Sequence, residues 1–311
     1  MKPGNVVLLT GGNGMVGKNI LYHPLAKNYE IVAPSSDELD LRDYQQTEAF
    51  MRELRPAAVV HAAGKVGGIQ ANIAEPVEFL LANLDMGRNI VAASRAAGVK
   101  QLLNLGSSCM YPRDAPNPLV EEAILTGQLE PTNEGYALAK VVTARLCQYV
   151  RRESPEYVYK TLIPCNVYGP YDKFSPEKSH LVPAIIHKLH AARVEGRNEV
   201  EIWGDGCARR EFMYAADLAQ VVLQALDSLN DIPELMNVGL GFDYSIREYY
   251  EAAAEVVGWY GRFTYDLSKP TGMKQKLISV SRLREWSSFP TTSLKYGLEQ
   301  TYDYYLKEIA K

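Results

Sequence analysis

The sequence predicts an α/β fold: a doubly wound parallel sheet of the Rossmann kind with a smaller α/β substrate domain. Three observations predict it. Short apolar runs closed by Gly, Asn or Pro alternate with longer segments of helical period, a glycine-rich turn sits at the first strand-to-helix junction, and the rhythm changes in the second half of the chain.

The first run, Val6 to Thr10, is apolar and ends at a pair of glycines, as a strand buried on both faces does. Glu30 to Ala33, Ala58 to His61, Gln101 to Leu105 and Tyr159 to Pro164 repeat that character. Between them Gly17 to Lys27, Tyr44 to Leu54, Pro76 to Ala97 and Tyr136 to Arg152 read as the crossover helices that parallel strands require. Ser179 to Ala192 then reads as a helix, Val200 to Trp203 as a strand, Ala216 to Ser228 as a helix and Met236 to Gly239 as a strand. We expect residues 1–165 to form a nucleotide-binding domain and 166–311 a substrate domain, with segments around 212–240 returning to the first.

Composition narrows the function. The chain has 311 residues, with 33 basic and 37 acidic side chains and a net charge of −4, so it carries no broad nucleic-acid stripe or polybasic membrane patch. Hydrophobic residues at 47% and charged residues at 23% are enough for a buried core. No apolar run approaches the ~18 to 20 residues of a membrane helix or resembles a secretory leader. Cys109, Cys147, Cys165 and Cys207 are widely spaced and have no zinc-ligand pattern, so we expect free thiols, no metal and a cytoplasmic location. His187 and His190, three apart, read as a surface pair, and His61 as packing near a cofactor.

Thr10-Gly11-Gly12-Asn13-Gly14-Met15-Val16-Gly17 offers a dinucleotide pyrophosphate the N-terminus of the first helix. Gly11, Gly14 and Gly17 suit a tight turn, a close backbone approach and close helix packing. At the end of the second strand, Ala33-Pro34-Ser35-Ser36-Asp37 carries neither an acidic residue placed for a free ribose hydroxyl nor an arginine for a phosphate. Ser35, Ser36 and Asn13 can donate to a phosphate.

Tyr136 and Lys140 are four apart and share a helix face, where an ammonium favours the phenolate and lowers the tyrosine pKa. Ser107 and Ser108 follow a strand at its carboxyl end, where open α/β sheets hold ligands. With the glycine loop, His61-Ala62-Ala63-Gly64 and Ser107 four residues before Tyr111, this set resembles the extended short-chain dehydrogenase/reductases acting on nucleotide sugars. Longer runs are similar to the GDP-L-fucose synthase group of that family. They are Lys65 to Asn72, Gly106 to Pro112, Glu130 to Ala137, Asn166 to Pro170, Ser179 to Ala184, and Val200 to Gly206 continued by Arg210-Glu211-Phe212.

The resemblance implies a GDP-4-keto-6-deoxy-D-mannose substrate, epimerisation at C3 and C5, and reduction of the C4 ketone by NADPH. It gives Ser107, Cys109, Tyr136, Lys140 and His180 as the catalytic set. Cys109 and His180 would serve the epimerisations, and Tyr136 with Ser107 the carbonyl, while Lys140 holds the nicotinamide ribose and depresses the Tyr136 pKa. The implied cofactor positions are Gly11, Asn13, Gly14, Met15, Val16 and Gly17 in the loop, and Ser36, Asp40 and Leu41 after the second strand. Ala62, Ala63, Tyr136, Lys140, Asn166 and His180 complete them. Ser108, Val182, Trp203, Arg210 and Lys276 would meet the substrate, with Trp203 stacking on guanine, Arg210 forking the diphosphate and Arg209 remaining a solvated charge. A homodimer through Pro76 to Ala97 and Tyr136 to Arg152 is also implied.

The chain departs from the family at Gly64, at Ala215-Ala216-Asp217, at Gln275 where an arginine is usual, and at Asn13 and Ser35-Ser36 where some members carry arginines. NAD(H) therefore stays open beside NADP(H). Related GDP-4-keto sugars, a 3,6-dideoxy-mannose leading to GDP-L-colitose or a heptose, can use the same residues, as can a C4 reduction without epimerisation. A 4,6-dehydratase is disfavoured by the lack of acidic residues after Ser107. A cofactor-sensing scaffold is disfavoured by the retention of Ser107, Tyr136 and Lys140.

Overall fold

The computed structural model describes residues 6–175, 179–269, 272–288 and 291–308. The first half runs through β1 (Val6–Thr10), α1 (Met15–Tyr22), β2 (Glu30–Val32), α2 (Tyr44–Leu54), β3 (Ala58–His61), α3 (Ile69–Ala74), α4 (Pro76–Ala96), β4 (Gln101–Leu105), α5 (Glu134–Glu153) and β5 (Val158–Pro164). The chain continues with β6 (Asn166–Tyr168), α6 (Leu181–Val194), β7 (Glu199–Trp203), β8 (Arg209–Arg210), β9 (Phe212–Tyr214), α7 (Ala215–Asp227) and β10 (Leu235–Val238). It ends with β11 (Tyr244–Ser245), α8 (Ile246–Val257), β12 (Arg262–Asp266), β13 (Gln275–Lys276), α9 (Ser281–Trp286) and α10 (Leu294–Glu308).

Six parallel strands form the main sheet in the order β2-β1-β3-β4-β5-β10. Alternation along each strand divides the apolar residues between the two faces. Leu9, Val60 and Leu103 pack with Leu218 and Val222 of α7, while Leu8, Val59 and Leu102 pack with Met51 of α2 and Ile90 of α4. The strand order reverses at β1, with β2 on one side and β3 on the other, and this opens a crevice above their carboxyl ends.

A third core joins α6, α8 and α10 through Ile185, Leu189, Tyr249, Leu298 and Tyr302. A small sheet, β11-β8-β13, stands apart from the main one. Its anchor is Glu211, whose carboxylate is fully buried and accepts from Leu240 N at 2.6 Å, Gly241 N at 2.8 Å and Ile278 N at 3.0 Å. Burial raises the Glu211 pKa to about 7 against the opposing pull of those N–H groups.

Two sequence expectations need correction. The helix predicted over Gly17 to Lys27 stops at Tyr22 and gives way to a 3₁₀ turn over Pro24–Asn28, because Pro24 has no N–H with which to continue the ladder. His187 and His190 are not a surface pair: their Nδ1 atoms lie 2.9 Å from the hydroxyls of Tyr305 and Tyr302, pinning α6 to α10. Among the described residues, no helix is long and apolar enough to cross a membrane, and no cluster of three His, Cys, Asp or Glu side chains is placed to hold a metal.

α4 and α5 pack so closely that Gly87 has no room for a side chain. A Cβ there would lie 2.0 Å from Thr143 Oγ1 and 3.1 Å from Thr143 Cβ. We expect Gly87→Ala to destabilise the fold by about 1–3 kcal/mol through overpacking. Urea unfolding should show Thr143→Ala recovering part of that loss in the double variant, and additive losses would refute the contact.

Candidate active site

The crevice at β1 and β3 is built by close backbone contact. Gly11 has a φ of +76°, and a Cβ on it would come within 2.7 Å of the Ala63 backbone; a Cβ on Gly17 would lie 2.2 Å from Gly11 O. Thr10, at the end of β1, stands in register with His61 at the end of β3, and Thr10 Oγ1 lies 2.8 Å from His61 Nδ1. Burial, aided by the charge of Lys140, lowers the His61 pKa to about 3, so this imidazole is neutral and structural.

Gly14 is the N-cap of α1 and offers no capping side chain, and the first turn carries no acidic residue. The first N–H groups of α1 are thus left for a ligand anion. This cradle fits a dinucleotide pyrophosphate. Asn13 and Ser36 are exposed beside it. Ser35 closes a local turn, donating its N–H to Glu38 at 2.7 Å and accepting from Glu38 N at 3.3 Å. Asp40 is held by the fork of Arg42 at 2.9 and 2.7 Å, and Leu41 is packed in the core.

Beyond β4 a 3₁₀ turn over Ser108–Met110 presents Ser107 and Cys109, and Ser107 Oγ caps the turn by accepting from Cys109 N at 3.2 Å. Tyr136, in the first turn of α5, shares a hydrogen bond with Ser107. Lys140 is buried one turn later and donates to Leu105 O at 3.0 Å, with its ammonium 5.9 Å from the centre of the Tyr136 ring. Burial pulls the Lys140 pKa down to about 8.

The expected depression of the Tyr136 pKa is not what the structure gives. Burial raises the phenol well above its ordinary value, Cys109 adds to the rise, and the Ser107 hydrogen bond only opposes it. The physical reason is desolvation of the buried phenol, while the Lys140 ammonium donates to the Leu105 carbonyl. Near neutrality Tyr136 is a protonated phenol, ready to donate.

Cys109 Sγ receives two donors, Asn133 Nδ2 at 3.1 Å and Lys276 Nζ at 3.5 Å. Lys276 stands in β13 directly beside Arg210 in β8, so the small sheet carries both cations together. Arg209 is an ion-pair partner rather than a solvated charge, because Asp243 takes its Nε at 2.6 Å. His180, half-buried, is the N-cap of α6, and burial together with the charge of Lys173 lowers its pKa.

The remaining expected contact residues sit on the surrounding elements. Val182 is packed in the third core and Ser108 is buried, which leaves mainly their backbones to face a ligand. Asn166 donates to Glu211 O at 3.1 Å. Trp203 is half-exposed at the end of β7 with the Lys269 ammonium 5.6 Å from its ring. Beside β8 and β13 a cleft of about 610 Å³ is lined by Glu130, Arg209, Lys274 and Gln275 among others.

A family model described as the NAD dependent epimerase/dehydratase family matches residues 7–239. The chain belongs to this family. It is 51% identical to a GDP-L-colitose synthase of Yersinia pseudotuberculosis, covering 97% of this chain and 98% of that protein. It is 49% identical to a GDP-L-fucose synthase of Azorhizobium caulinodans, with 98% of each chain covered. Among solved structures it is similar to a GDP-mannoheptose C4 reductase from Campylobacter jejuni with NADP bound, with a TM-score of 0.88, 29% identity, and coverage of 98% of this chain and 99% of that one.

Within this epimerase/dehydratase framework, sequence reasoning missed Asn133 and Asn83. Asn83 pins the loop after β3, accepting from Lys65 N and donating to Lys65 O, both at 3.0 Å, and so holds Gly64 close to the Lys140 ammonium. Its position on the buried face of α4 was the available signal. We expect Gly17→Ala to weaken dinucleotide binding by at least about tenfold, since the Gly11 carbonyl cannot yield without reshaping the anion cradle. Fluorescence titration with NADPH checks this, and unchanged affinity would remove Gly17 from the site.

Proposed function

We propose that this chain is an NADP(H)-dependent epimerase/reductase of GDP-4-keto-6-deoxy-D-mannose that produces GDP-L-fucose. The observation that carries the reading is the convergence of Cys109, Ser107 and Tyr136 with Lys276 beyond the end of β4, beside the glycine cradle. Bound NADPH supplies the hydride for C4. Tyr136 gives its proton to the C4 oxygen, and Ser107 orients the phenol and hydrogen-bonds the same oxygen. Lys140, one helical turn after Tyr136, would hold the nicotinamide ribose.

Before reduction the C4 carbonyl acidifies the hydrogens on C3 and C5. Cys109 and His180 serve as the acid/base pair: a proton leaves the carbon, its electron pair enters the carbonyl, and a proton returns to the opposite face. The neutral imidazole of His180 suits either duty. Arg210 and Lys276 face the diphosphate, and Trp203 offers its exposed ring to the guanine.

Incubation with this substrate and NADPH in deuterated water should yield GDP-L-fucose labelled at C3 and C5 by NMR. Unlabelled, unepimerised product would reduce the protein to a C4 reductase, and no consumption of NADPH would refute the reading. The 51% identity to a GDP-L-colitose synthase favours a second substrate, the 3,6-dideoxy analogue. A competition between the two sugars, read as kcat/KM, decides between them.

We further propose a homodimer through α4 and α5. Val77 and Leu81 on α4, with Leu138, Val142 and Tyr149 on α5, are exposed apolar side chains on two helices that pack together. Light scattering should give twice the chain mass, and Leu81→Glu combined with Val142→Glu should give one chain mass. A wild-type monomer at micromolar concentration would refute the interface.

A further inference from the structure

Asn133 occupies a position where asparagine has a well-known structural use and does not take it. It is the N-cap of α5, where an asparagine side chain ordinarily accepts from a backbone N–H of the first turn, yet it makes no such bond. Instead its Nδ2 donates to Cys109 Sγ at 3.1 Å, and its buried Oδ1 has no partner. The second donor on the sulfur is equally unusual. The Lys276 ammonium, among the described residues, pairs with no carboxylate, and its hydrogen-bond partner is the sulfur 3.5 Å away.

We propose that Asn133 and Lys276 are positioning residues for Cys109, holding its sulfur in the proton-accepting form and aimed at the substrate carbon. The inference rests on the reading of Cys109 as an acid/base group and assigns two residues through which it acts. An amide N–H and an ammonium are both donors, and two donors converging on sulfur match a thiolate acceptor better than a thiol. The side amide has a further property suited to a group that cycles. Rotation by half a turn brings Oδ1 to the sulfur, where it accepts an S–H, so one asparagine serves both protonation states. The forgone helix cap is the local cost of that arrangement. Lys276 also joins the two ends of the site, since it neighbours Arg210 in the small sheet while its ammonium touches the acid/base sulfur.

The other titratable groups around the sulfur are accounted for. Tyr136 faces it from α5, and on the turn preceding α5 the Glu130 carboxylate is engaged by Thr132 N at 3.4 Å and Thr132 Oγ1 at 3.1 Å. No hydrogen bond joins His180 to Cys109 among the described residues.

The test is alkylation of the full-length protein, loaded with NADP(H), by iodoacetamide across a pH series, with the half-buried Cys109 read by peptide mass spectrometry because Cys207 is exposed and reacts too. Asn133→Ser is the informative variant: serine is a good N-cap but cannot span to the sulfur, so the melting temperature should hold. Cys109 alkylation at neutral pH should fall about tenfold in this variant, with the profile displaced to higher pH. Lys276→Met should behave alike, and Lys276→Arg should recover part of the rate. Profiles identical to wild type in both Asn133→Ser and Lys276→Met would overturn the proposal. A displaced profile in a protein that turns over no GDP-4-keto sugar would sink the functional reading while leaving the hold of Asn133 and Lys276 on the sulfur standing.

Discussion

A carboxylate taken out of water must be given donors, and Glu211 shows how much of a structure one such obligation can organise. Its oxygens bind N–H groups from the segment after β10 and from the segment just past β13. Glu211 itself follows Arg210, and Ile278 lies two residues after Lys276. One side chain therefore ties both cation-bearing strands to the segment that leaves β10, beside the backbone bonds that Leu119 makes to Leu277 and Ser279. With a pKa near 7, that side chain gains and loses its proton around neutrality. Because the folded value lies above the ordinary carboxylate value, Glu211 contributes most at low pH. Its contribution declines as the pH rises from the unfolded value towards 7.

The site's helices start differently from α8. α8 begins with a full capping box between Ser245 and Glu248 and ends at Gly258 in the left-handed region, so each terminus follows from its sequence. α1 and α5 begin without side-chain caps. Lys140 is buried with a carbonyl rather than a carboxylate for a partner, and the Tyr136 phenol sits where burial resists its ionisation. Uncapped helix starts are common in the molecule, at α3, α4, α6, α7 and α9 as well, so it is the buried Lys140 and Tyr136 that set this region apart.

The main sheet was legible because its strands are continuous apolar runs, a pattern that double-sided burial enforces. β4 spans the residues its sequence predicts, and the glycine loop lies where backbone contact demands glycine. The short strands β8, β11 and β13 were not legible. Two residues carry no periodicity, and their pairing brings together distant parts of the chain, with Asp243, just before β11, bonding Arg209 of β8 and Gln275 of β13. Within the site, residue types and spacing pointed to Ser107, Tyr136 and Lys140, but not to the direction in which the phenol titrates. That direction depends on desolvation and on which carbonyl the ammonium chooses, both properties of three-dimensional packing. Asn133 escaped notice because an asparagine before a helix already has an ordinary explanation.

The strand order has a consequence for how the chain is made. β1 to β5 are complete by residue 164, but the outer neighbour of β5 is β10, which ends at residue 238. While the intervening segment is being synthesised, a flat apolar edge stands open with its backbone donors and acceptors unpaired. An unpaired edge of that kind is the feature that invites pairing with other chains, and the parallel β5-β10 pairing that covers it spans a long stretch of sequence. Lys160, which lies within β5 and donates to Ile232 O at 2.6 Å once the fold is complete, puts a charge on that edge until its partner arrives.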